Sequence, residues 1–170
     1  FDIPIHYFVK LDFQQFIHLV DVLGGIEVNL PHPVVLNGEK LNPGRHTLDG
    51  ANALLLARER YQLPNGDFGR QVDQFVILQG IYSRLLEMKQ MKQLYQAARQ
   101  TIDSVSDTNL TIGDVISLAR LFRDFQPDSL NHVQLAGRSM TAMDPLVRKE
   151  LWYWVVDDVE IDRIKRDHLH

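Results

Sequence analysis

The apolar period changes once between Asp12 and Leu30, and that change limits the folds open to this chain. Behind Asp12, a good N-cap, the residues Phe13, Phe16, Ile17, Val20 and Leu23 recur at helical spacing. The pair Gly24-Gly25 ends that pattern, and Ile26, Val28 and Leu30 then alternate with Glu27 and Asn29 as along a strand. A one-faced helix followed at once by a one-faced strand predicts mixed layers, with helices covering a sheet.

The remaining segments extend that reading. Ile3, Ile5, Tyr7 and Val9 alternate with Pro4, His6, Phe8 and Lys10, which predicts a strand at the start. Val34-Val35-Leu36 before Asn37-Gly38 predicts short strands around a hairpin, and Leu41-Asn42-Pro43-Gly44 is turn chemistry. Asp49 caps a helix through Ala51, Ala53 and Leu56, and Asp67 caps a long helix reaching about Glu87. A further helix is expected from about Met91 to Val105. Thr111 with Asp114 resembles a capping box for a helix running to Phe125. Val133 and Leu135 suggest a strand. Asp144-Pro145 reads as the opening of a last helix through Leu146, Leu151, Trp152 and Val155, on which Trp152 and Trp154 would point to different sides. The expected fold class is α/β, an α-β-α sandwich-like arrangement with a mixed central sheet covered by helices, over residues 1–170 as a single domain piece.

Composition excludes several functions. With 170 residues, 45% of them hydrophobic, the chain is long enough to bury one core. A net charge of -4 and 24% charged residues leave no basic face for nucleic acid. The absence of cysteine removes disulfides, thiol nucleophiles and thiolate zinc sites. The histidines lack metal-ligand spacing apart from the terminal His168 and His170, and no serine lies in a G-x-S-x-G context, so the sequence proposes no metal ligand and no serine nucleophile. Asp157 and Asp158 read as a solvated helix end.

The chemistry concentrates between Ala57 and Gln74. Arg58 and Arg60, on extended backbone at a helix exit, would share a face. Arg70 and Gln74 lie one helical turn apart, with Asp67 three residues before Arg70, and their row continues into Ile77 and Ile81. An arginine in the first turn of a helix opposes the macrodipole, and one on a core-directed row is also desolvated, so an anion should offset both costs. Guanidinium forks and a helix N-terminus suit phosphate oxygens. The stretch also carries Glu59, Asp67 and Asp73, three acidic groups against three arginines, so internal salt bridges satisfy the same charges equally well on spacing alone.

The string Y-F-V-K-L-D-F-Q-Q-F-I-H-L-V-D-V-L-G-G-I-E-V-N-L-P, Tyr7 to Pro31, resembles the Y-V-K-V-D-F…L-V-D-x-L-G-G-V-x-V-x-V-P stretch of the LytR-CpsA-Psr family. L-N-P-G-R-H-T-L-D-G-A-N-A-L-L-L-A-R-E-R, Leu41 to Arg60, resembles that family's L-x-x-G-x-x-x-L-D-G-x-x-A-L-x-Y-x-R-x-R, and G-D-F-G-R-x-x-x-Q at Gly66 to Gln74 keeps the spacing. The resemblance implies an extracytoplasmic enzyme, anchored to the bacterial cell membrane by an N-terminal helix outside this chain. Such an enzyme moves a glycopolymer, such as teichoic acid or capsular polysaccharide, from a polyisoprenyl-pyrophosphate carrier to peptidoglycan as a phosphodiester. It implies that Arg58, Arg60, Arg70 and Gln74 hold the pyrophosphate and that Asp67 orients an arginine or assists near the site. A hydrophobic tunnel, to which Ile77, Ile81 and Leu85 are candidates, would take the lipid tail. It also implies Mg2+ or Mn2+, with ligands in an N-terminal portion of the family domain that precedes Phe1. Without those strands, sheet edges and apolar surface would be left uncovered. One departure stands out: where the family has a second helix arginine, this sequence has Asp73, a negative charge beside the expected phosphate. A non-catalytic module binding polyprenyl phosphate or wall glycan is therefore the alternative.

Overall fold

Reciprocal hydrogen bonds open the first helix: Asp12 Oδ1 accepts from the Gln15 amide at 2.9 Å, and the Gln15 side chain accepts from the Asp12 amide at 2.9 Å. The structure is a computed structural model that describes residues 3–59, 67–88, 91–105, 107–122, 124–126 and 129–168. Packing divides the chain into two compact units, Ile5–His132 and a second built on residues from Val133 onward.

In the larger unit, helix α1 (Phe13–Val22) leads into strand β2 (Ile26–Leu30), as the period change predicts. The end of α1 is closed by Arg84, whose Nε donates to the Leu23 carbonyl at 2.8 Å. Strand β2 buries Ile26, Val28 and Leu30 and exposes Glu27 and Asn29. It pairs antiparallel with β5 (Gly44–Leu48), from Ile26 opposite Leu48 to Leu30 opposite Gly44. Strands β3 (Val34–Leu36) and β4 (Glu39–Leu41) form the expected hairpin, with Asn37 and Gly38 at φ 51° and 82°, the left-handed pair that a two-residue type I′ turn requires. Strand β5 was not legible in the sequence, because it opens on the turn residue Gly44.

Helix α2 (Gly50–Arg58) is capped by Asp49, whose carboxylate accepts from the Asn52 amide at 2.8 Å. Helix α3 (Asp67–Glu87) lies across β2, and Gly80 permits the approach, since a Cβ there would stand 2.7 Å from the Glu27 carbonyl oxygen. Val20, Ile26, Leu30, Ala53, Leu56 and Ile77 meet in the core between α1, α2, α3 and β2. Each large side chain among them contributes about 1.5–3 kcal/mol by leaving water. Helix α4 (Met91–Ser104) follows, and α5 (Ile112–Leu121) opens on a true capping box between Thr111 and Asp114. Tyr82 of α3 donates its hydroxyl proton to the carbonyls of Phe122 and Phe125 just beyond α5.

The strand expected over residues 3–10 contracts to β1 (Val9–Lys10), paired antiparallel with β6 (Asp107–Thr108). Ahead of it, Asn109 replaces the ladder: its Oδ1 accepts from the Phe8 amide at 2.9 Å and its Nδ2 donates to the His6 carbonyl at 2.7 Å. These residues stay exposed, so no apolar face fixes a register there.

The second unit corrects the sequence most. Val133 and Leu135 lie in irregular backbone, and the strand begins later, as β7 (Gly137–Met143). Asp144-Pro145 does not open a helix. It turns the chain into β8 (Glu150–Val156), antiparallel to β7, and the last helix is α6 (Asp158–His168), where Asp157 and Asp158 mark a start rather than an end. The run Leu-Trp-Tyr-Trp-Val-Val consists of β-formers, and the Asp144 carboxylate serves a turn, accepting from the amides of Leu146 and Val147 at 2.8 and 2.9 Å. Because β8 is a strand, Trp152 and Trp154 share a face, with ring centroids 6.1 Å apart.

The other oxygen of Asp144 accepts from the Tyr153 hydroxyl at 2.6 Å. That bond, followed by the two amide bonds, holds the Asp144 carboxyl below its ordinary value. A carboxyl depressed by folding contributes stability above its unfolded value and loses it as pH falls through the folded one. Both tryptophans of the chain lie on β8. Their fluorescence transition should therefore move to lower temperature as pH drops below about 4, and Tyr153→Phe should shrink that movement. An identical acid dependence in the variant would remove Tyr153 from the cause.

The chain is thus α/β. Among the described residues its strands pair two by two, in four antiparallel ladders rather than one continuous central sheet.

Candidate functional site

Helix α2 delivers Arg58 as its last helical residue, not on extended backbone, and Glu59 then leaves the helix at φ -61° and ψ 133°. The exposed Arg58 guanidinium lies over the Phe13 ring, 4.5 Å from its centroid, at the start of α1. Gln74 of α3 donates from Nε2 to the Ala57 carbonyl at 3.1 Å, tying the first half of α3 to the last turn of α2. Arg70 stands one turn before Gln74 and is half-buried, and its row runs inward to Ile77, which is fully in the core. Arg58, Arg70 and Gln74 are therefore gathered where α2 ends and α3 begins. Arg60 lies outside the described residues. Asp67 is helical, at the head of α3, and its side chain is not among those described.

Asp73 departs from the expectation that its charge faces a phosphate. Its side chain is 0% exposed and turned into the protein, where both carboxylate oxygens meet His32 Nε2, at 3.2 and 3.3 Å. Burial pushes the Asp73 carboxyl above its ordinary value. The His32 ring opposes that push, and neighbouring Glu59 adds to it. One of the three acidic residues that balanced the arginines by count is thus engaged by a histidine. His32 was not singled out in the sequence. A signal existed nonetheless: Asp73 shares a helical face with the buried Val76, Ile77 and Gly80, and a carboxylate there requires a partner.

Farther along α3 lies an apolar cavity of about 390 Å³, bounded by α1, α3, α4 and the β1 and β6 segments. Its lining includes Phe16, Leu23, Ile81, Leu85, Ala98 and Ile102. Of the tunnel candidates, Ile81 and Leu85 face it, whereas Ile77 is packed in the core. Arg70 and Ile81 are separated by about 16 Å along the helix axis. One helix therefore carries Arg70 and the hydrogen-bonding Gln74 near its start and a greasy wall farther on.

Among the described residues no group of three acidic or histidine side chains is placed to hold a metal, so these residues do not fit the implied divalent ion. None of the described helices is long and apolar enough to cross a membrane.

The chain is 31% identical over 131 residues to the polyisoprenyl-teichoic acid–peptidoglycan teichoic acid transferase TagU of Bacillus licheniformis, matching 77% of this chain and 42% of that protein. It is 29% identical to the TagU of Enterococcus faecalis over 98% of this chain and 52% of that one. The chain thus spans about half the length of the curated relatives it matches. The crystal structure of TagU from B. subtilis superposes with a TM-score of 0.71 at 28% identity, over 98% of this chain and 64% of that chain. TagV of the same organism superposes at 0.83 and 24% identity, over 98% and 65%, a likeness of fold. The LytR_cpsA_psr family model matches residues 1–169, and with these motifs, this fold and these neighbours the chain belongs to the LytR-CpsA-Psr family.

Proposed function

We propose that this chain is the part of a glycopolymer–peptidoglycan phosphotransferase that grips the polyisoprenyl-pyrophosphate carrier. One observation carries the reading: α3 presents Arg70 and Gln74 against the end of α2, where Arg58 stands, and lines the apolar cavity with Ile81 and Leu85 some three turns on. An amphiphile with a doubly phosphorylated head and a hydrocarbon tail matches both ends. The names of the TagU relatives give a polyisoprenyl-linked teichoic acid as the substrate of those proteins, which supports the lipid half of this reading.

In the proposed reaction, a peptidoglycan sugar hydroxyl attacks the phosphorus bearing the glycopolymer. A phosphodiester forms, the bond to the lipid phosphate breaks, and polyprenyl phosphate leaves. Arg58, Arg60 and Arg70 stabilise the charge that gathers on the bridging and equatorial oxygens, Gln74 fixes the α2–α3 junction, and Asp67 orients an arginine from the head of α3. The Mg2+ or Mn2+ implied by the resemblance would have its ligands outside these residues, and no step above runs through it. Action at the outer side of the membrane belongs to the same proposal, because the carrier is a lipid and the acceptor is peptidoglycan.

The buried Asp73 favours a second reading, a binding module without turnover, because the family's second helix arginine is replaced. The test is titration of the chain with a short polyprenyl pyrophosphate and with the matching polyprenol. The first reading and the second both expect tight binding that requires the pyrophosphate. Glycopolymer transfer by the protein at full length selects the enzyme, retained binding without transfer selects the module, and equal affinity for the alcohol removes the site.

A further inference from the structure

We propose that His32 is a further cationic group of this anion site, held by Asp73, and that a pyrophosphate in the site draws a proton onto the His32–Asp73 pair. The inference rests on the clamp at the α2–α3 junction and deepens it.

Asp73 is the one charged residue buried in the core among the described residues, and the reaction above does not use it. It sits between Arg70 and Gln74 in sequence, and the same junction brings Glu59 close enough to raise its proton affinity. His32 enters from the backbone just past β2, meets both Asp73 oxygens through Nε2, and keeps 19% of its side chain exposed. A carboxylate behind one ring nitrogen fixes the orientation of the imidazole, while the exposed part of the ring can meet an anion. The arginine the family carries at this helix position is thus replaced by a histidine from another segment, with Asp73 as its anchor.

The other charged groups around the pair are few. On α2 and its exit stand Arg58 and Glu59, and on α3 stands Arg70. On the β2–β5 ladder Arg45 and Glu27 face each other at 3.5 Å. His132 stacks on Phe75 at 5.5 Å, and His46 Nε2 is hydrogen-bonded to the Asn42 carbonyl. The arginines stay charged throughout, so the His32–Asp73 pair is the part of the junction whose proton content a bound anion can change. An anion favours their protonated forms, and by reciprocity protonation favours the anion. The proton comes from the buffer, so binding weakens as pH rises, and the range from about 6 to 8, where an imidazole can change charge, is the one to test.

The test is calorimetric titration of the 170-residue chain with inorganic pyrophosphate, in two buffers of different ionisation enthalpy, across that pH range. The wild type should take up more protons on binding than His32→Gln, and at the acid end should bind on the order of fivefold more tightly. Removing His32 alone strands a buried carboxylate, so the double variant His32→Gln with Asp73→Asn, which leaves no charge behind, guards against misfolding. His132→Gln should behave as wild type. The ligand's own ionisation is common to every variant and cancels in the comparison. If the double variant binds with wild-type affinity and proton count, the pair is no part of the site and this proposal falls, while the clamp stands. If the wild type binds no pyrophosphate, the clamp falls and this proposal with it.

Discussion

Arg70→Ala, made in the protein at full length, is expected to lower glycopolymer transfer by on the order of 10²–10³-fold. The half-buried Arg70 stands one turn from Gln74, which is itself bound to the carbonyl before Arg58, so the helical turn that carries Arg70 is fixed before substrate arrives. A preorganised cation that meets charge developing on phosphoryl oxygens lowers the barrier without reorganising at the moment of reaction. Arg70→Lys should recover only part of the loss, because an ammonium keeps the charge but not the planar two-point fork. Stability should change little, since the α2–α3 junction is still held by Gln74 and by the core beneath it. The measurements are transfer rate and thermal unfolding of the same preparation. A wild-type rate in Arg70→Ala would show that the residue has no part in the reaction. A large stability loss matching the activity loss would make it a structural arginine instead.

The largest effect on folding is expected at Gly50. A Cβ at this position would stand 2.3 Å from the Ile17 carbonyl oxygen and 2.8 Å from the Ile17 carbonyl carbon and Cα. Those atoms belong to the backbone of α1, so no side-chain rotation relieves the contact. The Gly50 amide is also fixed, donating to Asp21 Oδ1 at 2.8 Å. Gly50→Ala must therefore push α1 and α2 apart, and Val20, Ala53 and Leu56, all fully buried, lie along that contact. A loss of about 2–4 kcal/mol is expected in denaturant unfolding, well above the usual effect of adding one methyl group. Ala51→Ser, one residue on and exposed, is the control and should stay near wild type. A Gly50→Ala protein as stable as the parent would mean that the two helices pack less closely than described.

The two variants separate what kind of information the sequence carries. Gly50 was legible as part of an Asp-Gly helix start, yet its role is set by Ile17, thirty-three positions away, and nothing in the local pattern marks that approach. Arg58, Arg70 and Gln74 were legible because the helix period and the family motif agree on them. The bond that joins α3 to α2 runs from Gln74 to a main-chain carbonyl, which has no sequence signature. Asp73 was read with the wrong orientation. Its charge was visible, whereas the histidine that meets it is forty-one positions away.

Local physics also explains where elements were misread. Asp144-Pro145 satisfies the rules for a helix start and for a turn alike, and only the pairing of β7 with β8 chooses between them. The run from Leu151 to Val156 has the composition of a strand, and spacing alone concealed it. By itself the sequence determined the helix caps at Asp12, Asp49 and Thr111, the alternation of β2 and the turn at Asn37-Gly38. Each depends on neighbours within a few positions, and side-chain period and backbone hydrogen bonding act at that range. The tertiary structure alone decided the closeness of α1 to α2, the burial of Asp73 against His32, and the greasy cavity beyond Arg70 on α3. These arise where distant segments exclude water together, and desolvation is a property of the assembled packing rather than of any one segment.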